Sequence, residues 1–300
     1  MRSSALALAA LVAGTAAESC RSGLYIIVAR GTSEVQGSGI MGSVADGIAK
    51  EVAGSQVAPL QYPASLSDPV YQDSVAAGVR QMQKTLRNHV KNCPRSKLAI
   101  LGYSQGAQVA MDALCGSVGV EGFENSTAID SSLIKDHIVA VALFGDPSHV
   151  ANVTYDRGTS IRNGIFNRTS SSVQECKAFS DRIVSYCDVG DIYCDVGDVK
   201  TVHGLYVSRY GAEVQHFVVD RYNKDAAMTR NATEPSSTAP SSSTASPSGT
   251  ATSSSTASPS SAANGGAGRA GDRTSGGARA EGGVGLAALS VGLLVALAMG

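Results

Sequence analysis

One short segment restricts the fold of this chain more than any other: Gly102-Tyr103-Ser104-Gln105-Gly106. The apolar run Lys97-Leu98-Ala99-Ile100-Leu101 precedes it, and a helical pattern from Ala107 to Leu114 follows. The order is strand, tight turn, helix, with a serine at the tip and a glycine on each side. Glycine suits such a turn because the bend is sharp and the strand and helix backbones pass close together. A serine so placed stands above the sheet, with a helix N-terminus beneath it where developing negative charge is favoured. In that setting Gly-x-Ser-x-Gly reads as a nucleophile elbow, with Ser104 as the candidate nucleophile. The plain alternative is a Gly-rich strand-to-helix turn carrying an ordinary serine.

The flanking sequence alternates strand and helix patterns. Leu24 to Ala29 is a continuous apolar run suited to a buried parallel strand. Val44, Ile48 and Val52 suggest a helix stripe, and 56–61 reads as a second strand. Val75, Val79, Met82, Leu86 and Val90 mark a long amphipathic helix ending before Pro94. Ile138 to Phe144 is another buried strand, 177–185 a final short one, and Val207, Tyr210, Val214, Phe217 and Val218 give the last helix. The alternation predicts a three-layer α/β/α sandwich around a mainly parallel sheet. Sites in such sheets form at the carboxyl ends of the strands, where Ser104 falls.

Both ends of the chain read as something other than fold. Residues 1–17 combine Arg2, the apolar run Ala5 to Val12 and the small residues Thr15-Ala16-Ala17, the pattern of a secretory signal peptide. Residues 231–263 are nearly all Ser, Thr, Ala and Pro, with Ser-Ser-Ser-Thr-Ala-Ser-Pro-Ser at 241–248 repeated at 253–260. That composition cannot bury a core and reads as a disordered, O-glycosylated stalk. A Gly-rich polar spacer, 264–283, leads to an apolar tail, 284–300, with no charge after it. Small residues, spacer and tail form the pattern of a GPI-anchor signal, with Asn264, Gly271 and Ser275 as candidate attachment sites. The competing readings are a tail-anchored helix and an incidental apolar end.

What remains, 18–230, suits one catalytic domain with a full core. The net charge of −1 and the lack of a basic cluster give nucleic-acid binding no electrostatic support. All six cysteines lie in this domain, and an even count behind a signal peptide implies three disulfides. No His/Cys spacing suggests a metal site. Sequons at Asn125, Asn152, Asn167 and Asn231 mark surface positions if glycosylated.

A serine nucleophile needs a base, and the base needs a carboxylate to orient it; on this architecture the chain order is Ser, Asp or Glu, His. His89 precedes the serine and is expected on the solvated side of the long helix. His137 sits at the amino end of a strand, the wrong edge, whereas His149 follows a carboxyl edge. His216 lies off the apolar stripe of the last helix. His203, in the loop before that helix, is the favoured base. For the acid, Asp191 stands between Cys187 and Cys194, a loop that a bond between those cysteines would make rigid. Asp188 is its rival, and Asp195 and Asp198 are weaker candidates. An oxyanion hole would draw on the N–H of Gln105 and on Thr32, in the loop after the first strand. Tyr62, Phe144, His149 and Tyr155 are candidate pocket neighbours.

Together these residues resemble the cutinase and acetylxylan esterase family of secreted serine esterases. The matching segments are Ala29-Arg30-Gly31-Thr32-Ser33-Glu34, Tyr62-Pro63-Ala64, the Gly102-to-Ala107 elbow, the Cys187…Asp191…Cys194 loop and His203-Gly204-Leu205-Tyr206. The resemblance implies a small lidless α/β-hydrolase, a triad of Ser104, Asp191 and His203, and oxyanion donors at Thr32 and Gln105. It also implies the bridges Cys187–Cys194, Cys20–Cys93 and Cys115–Cys176. Gly145-Asp146-Pro147, Gly158-Thr159 and Ser185-Tyr186-Cys187-Asp188 resemble the acetylxylan esterase branch. That branch often carries a further bridge, where this chain has Asp195 and Ser160.

The function expected is a secreted carboxylic ester hydrolase, working through an acyl-enzyme on cutin-type, acetylated-polysaccharide or lipid-like esters. No cofactor or metal is implied, and a monomer, tied to the membrane through the GPI anchor alone, is the default. An anchored enzyme acting on the cell's own wall or lipids differs only in substrate. The alternative from another class is a non-catalytic anchored surface or adhesion module.

Overall fold

The computed structural model describes residues 20–233. The expected signal peptide, spacer and apolar tail lie outside the described residues, as does the expected stalk beyond residue 233. The core is a six-stranded sheet of order β2-β1-β3-β4-β6-β5 in which every pairing is parallel. The strands are β1 (Leu24–Ala29), β2 (Gln56–Pro59), β3 (Lys97–Tyr103), β4 (Ile138–Phe144), β5 (Asp156–Gly158) and β6 (Ile183–Cys187). The helices are α1 (Gly42–Glu51), α2 (Tyr71–Asn92), α3 (Gln105–Cys115), α4 (Ser131–His137), α5 (Ser170–Lys177) and α6 (Tyr206–Thr233).

β1 and β4 are buried along their whole length, which is why they read as continuous apolar runs rather than alternating ones. Successive side chains still point to opposite faces. Leu24, Ile26 and Val28 join Val44 and Ile48 of α1 and Val214 and Val218 of α6 in one cluster. On the other face α2, α3 and α5 pack side by side. Three bridges fasten this frame: Cys20–Cys93 ties the start of β1 to the end of α2, Cys115–Cys176 joins α3 to α5, and Cys187–Cys194 closes a loop after β6.

Several expectations need correction. The last strand is Ile183–Cys187, not 177–185, because Lys177 closes α5 and a 3-10 turn at Ser180–Arg182 precedes the strand. The second strand stops at Pro59. α4, α5 and the three-residue β5 carry no long apolar stripe and were not expected from pattern. α6 continues past residue 230 to Thr233. His89 is buried, not solvated: its ring stacks on Tyr25 at 3.7 Å and its Nε2 pairs with Ser96 Oγ at 2.9 Å. It lies three residues after Leu86, so it continues the stripe along the face that α2 turns to β1. Asn125, Asn152 and Asn167 are exposed.

The elbow depends on two close approaches. A Cβ on Gly102 would lie 2.8 Å from Ala107 Cα and from the Gly106 carbonyl oxygen. A Cβ on Gly106 would collide with the carbonyl of Ala29. Both obstacles are backbone and cannot rotate away. Replacing Gly106 by Ala is therefore expected to destabilise the fold by about 3 kcal/mol or more, the scale of strongly overpacked core sites. Urea denaturation of Gly106→Ala beside the parent checks this, with Gly204→Ala, at a glycine with open space around it, as the near-neutral comparison.

Candidate active site

Ser104 sits between β3 and α3 with φ 52° and ψ −119°, a left-handed conformation that a side chain rarely adopts. Its N–H bonds the Phe144 carbonyl of β4, and its carbonyl accepts from Ala107 and Gln108 of α3, so neighbouring elements hold the strained residue from both sides. The hydroxyl stands at the carboxyl edge of the sheet, where His203 Nε2 lies 2.9 Å from Ser104 Oγ. His203 Nδ1 is 2.8 Å from Asp191 Oδ2. An ionised carboxylate only accepts, so Nδ1 carries the proton and Nε2 is left to accept from the serine. Tyr103 and Tyr193 flank the imidazole, with ring centroids 5.2 and 4.6 Å away, and the Tyr103 hydroxyl donates to the His203 carbonyl.

Asp191 is fully buried and its carboxylate has four donors. Oδ1 accepts from the N–H groups of Tyr193 (2.8 Å) and Cys194 (3.1 Å), while Oδ2 accepts from His203 and from the Tyr206 hydroxyl (2.7 Å). Burial alone would raise this carboxyl; the hydrogen bond and charge of His203, with the Tyr193 N–H and the Tyr206 hydroxyl, outweigh it and hold the group below the ordinary range.

The loop after β1 meets the elbow directly. Gln105 Nε2 donates to Thr32 Oγ1 at 3.3 Å and to the Ser65 carbonyl at 2.9 Å, and Ser74 Oγ of α2 donates to Gln105 Oε1 at 2.8 Å. Thr32 Oγ1 thus has an acceptor role filled from one side, which leaves its proton to point elsewhere. The Gln105 N–H opens α3, one position ahead of the turn whose Ala107 and Gln108 N–H groups bond the Ser104 carbonyl, and an N–H at that first position has no carbonyl of its own helix to meet. Arg30 straps the loop: Nε donates to the Glu34 carbonyl, and the guanidinium also reaches the carbonyls of Leu60, Tyr62 and Pro63. Glu34 closes it from the other side by accepting from the N–H groups of Gly31 and Ile40.

The remaining candidates go elsewhere. Asp188 binds Thr159, Arg209 and Tyr210 rather than a histidine, and Asp198 is exposed. His149 is buried against Asp156, and His216 is exposed. Of the four candidate pocket neighbours, Phe144 lies in the core against Tyr186 and Tyr206. Tyr62 supports the Arg30 carbonyl from below, and Tyr155 lines a cleft of about 460 Å³ beside α5. Residues 160 and 195 do meet: Ser160 Oγ donates to Asp195 Oδ1 at 2.5 Å, Arg162 pairs with Asp195 at 2.6 Å, and Asp195 Oδ2 accepts from the Gly190 N–H at 2.8 Å. Asp195 is thus a buried carboxylate supplied with donors from Ser160, Arg162 and the Gly190 N–H. The Tyr206 hydroxyl on Asp191 leaves little trace in the sequence: its one signal is its place three residues after His203, within His203-Gly204-Leu205-Tyr206.

Fold and site define an α/β-hydrolase with a Ser–His–Asp arrangement at the carboxyl edge of a parallel sheet. A model of the cutinase family matches residues 19–222. An acetylxylan esterase 2 of Talaromyces purpureogenus is 30% identical over 201 residues, covering 65% of this chain and 85% of its own. Cutinase 11 of Verticillium dahliae is 30% identical over 234 residues, covering 74% and 78%. A solved acetylxylan esterase structure superposes with a TM-score of 0.61 at 29% identity, over 68% of this chain and 100% of that one. The chain belongs to the cutinase family and is a carboxylic ester hydrolase; its relatives favour that reading over a non-catalytic surface module.

Asp195 gives a prediction about acid stability. Burial would raise its carboxyl, but the hydrogen bonds from Arg162, Ser160 and the Gly190 N–H hold it below the ordinary value. A depressed folded-state pKa contributes stability above the unfolded value, near 3.8, and loses it as pH falls through the folded value. The melting temperature of Asp195→Asn should therefore lie below that of the parent at pH 6–7, and the gap should narrow below about pH 4.

Proposed function

We propose that this protein is a serine esterase in which Ser104 is the nucleophile, His203 the general base and acid, and Asp191 the group that orients His203. The carrying observation is the continuous relay from Asp191 through His203 to Ser104, with steps of 2.8 and 2.9 Å. His203 Nε2 takes the Ser104 proton as Oγ adds to the ester carbonyl. The oxyanion so formed accepts from the Gln105 N–H and from Thr32, which are held beside the elbow before substrate arrives. Collapse of the tetrahedral intermediate breaks the ester C–O bond, and His203 gives its proton to the departing alkoxide. A water, deprotonated by His203, then adds to the acyl-enzyme carbonyl; collapse breaks the bond to Ser104 Oγ, which takes the proton back from His203, and the acid leaves. None of these steps calls for a cofactor.

The substrate we infer is an acetylated polysaccharide of the acetylxylan type. The relatives named acetylxylan esterase, one of them superposable over its full length, support this choice. One observation favours a second reading, a cutin-type or lipid-like ester. Val189, Val196, Val199 and Leu205 are all exposed on the segments that carry Asp191 and His203, where an apolar acyl chain or surface would meet them. Secretion, a GPI-type anchor and a monomeric state complete the proposal, on the strength of the patterns at 1–17 and 231–300.

Hydrolysis of acetylated xylan, p-nitrophenyl acetate and p-nitrophenyl octanoate tests it. Faster turnover of the two acetyl esters is expected, and dominant octanoate hydrolysis would replace the first substrate reading by the second. Ser104→Ala should lower kcat by about 10⁴-fold or more. Thr32→Val should lower it about 10²-fold with KM little changed, the signature of a donor that works in the transition state. A wild type no faster than Ser104→Ala on all three substrates would overturn the assignment.

A further inference from the structure

Tyr206 opens α6 and is buried, its ring stacked near Phe144 at 5.8 Å and Tyr210 at 6.4 Å and set edge-on to His203 at 6.3 Å. Its hydroxyl donates to Asp191 Oδ2 at 2.7 Å and accepts from the Asp188 N–H at 3.0 Å. The same oxygen lies 3.2 Å from Cys194 Sγ. One phenol oxygen therefore touches the start, the middle and the end of the Cys187–Cys194 loop. Without His203, Asp191 already has three donors, two N–H groups on Oδ1 and this hydroxyl on Oδ2. The plane of the carboxylate is fixed independently of the histidine it is to orient.

We propose that Tyr206 is a positioning residue for the reaction, its hydroxyl holding the Asp191 carboxylate in one orientation and sharing the charge that His203 meets. This inference rests on the serine-esterase reading above. Burial first, and then the Asp191 charge beside it, keep the phenol well above its ordinary pKa, so it stays a donor throughout the working range. The groups facing the His203–Asp191 pair are Ser104 and Tyr103 from the elbow strand and its turn, Tyr193 from the disulfide loop, and Tyr206 from α6. Tyr206 is the one whose hydroxyl donates to the carboxylate, so its removal changes the charge that Asp191 presents to the imidazole.

Tyr206→Phe removes one oxygen and keeps the ring packing. The expected result on p-nitrophenyl acetate is a kcat about tenfold lower with KM within about twofold. The acid limb of the kcat/KM profile should move to higher pH by about half a unit, because an unshared Asp191 charge favours the imidazolium. Tyr210→Phe is the comparison: its hydroxyl donates to Asp188 Oδ1 in the same aromatic stack, and no bond joins it to Asp191. It should keep the wild-type kcat and acid limb. Should Tyr206→Phe not fold, 3-fluorotyrosine placed at 206 retains the hydroxyl as a stronger acid and should move the limb the opposite way. A folded Tyr206→Phe with wild-type kcat and limb, an equal loss in Tyr210→Phe, or an unmoved limb with 3-fluorotyrosine would overturn the proposal. A wild type equal to Ser104→Ala would overturn instead the esterase reading beneath it.

Discussion

The arrangement of this molecule turns on how closely the first helical turn of α3 is pressed against the end of β1. Gly106 lies so near the carbonyls of Ala29 and Arg30 that a methyl group has no room. That approach places the loop at 30–34 beside the serine turn, close enough for Gln105 to reach Thr32. It also seats Ser104 in a left-handed conformation that the surrounding backbone bonds sustain. Interior packing is dense and does not deform continuously, so the distance between Ser104 and the Thr32 loop follows from this contact rather than from the loop's own preferences.

A loop so placed must still be held rigid, and the chain does this with buried polar groups that are well supplied with partners. The Arg30 guanidinium is almost fully buried, a costly place for a charge, and four carbonyls and the face of Tyr62 surround it. Hydrogen bonds to charged groups contribute about 1.5–3 kcal/mol each, so the strap gives the loop a single conformation at little net cost. The Asp191 loop is built in the same manner. The disulfide limits its span, backbone N–H groups fill Oδ1, and Asp195 pins Gly190 from outside. A covalent bridge and a buried carboxylate paired with a half-exposed arginine thus serve similar ends at neighbouring points of one segment.

Much of this was legible in the chain. β1, β3 and β4 stood out because strands buried on both faces leave unbroken apolar runs. The elbow stood out because its two glycines answer a steric need that no other residue meets. Ser104 and its neighbour Gln105 followed from that turn, and the order of acid and base followed from the architecture. The short edge elements were not legible: β5, α4 and α5 are held by their neighbours and by Cys115–Cys176, and leave little periodic signal of their own. His89 was misplaced for a related reason, since a polar residue continuing an apolar stripe looks solvated until Tyr25 and Ser96 are seen around it.

By itself, the sequence determined the fold class, the turn that presents the serine, and the short set of residues from which its partners had to come. Periodicity and glycine placement are local properties, and local sterics suffice to read them. Only the tertiary structure decided which aspartate faces His203, because Asp188, Asp191 and Asp195 lie within eight positions of one another on one loop and differ only in what surrounds them. Tyr206, Ser74 and Ser160 likewise acquire their partners from helices and loops far away in the chain. A hydrogen bond across 15 to 35 residues is fixed by packing, and no pattern in a single segment encodes it.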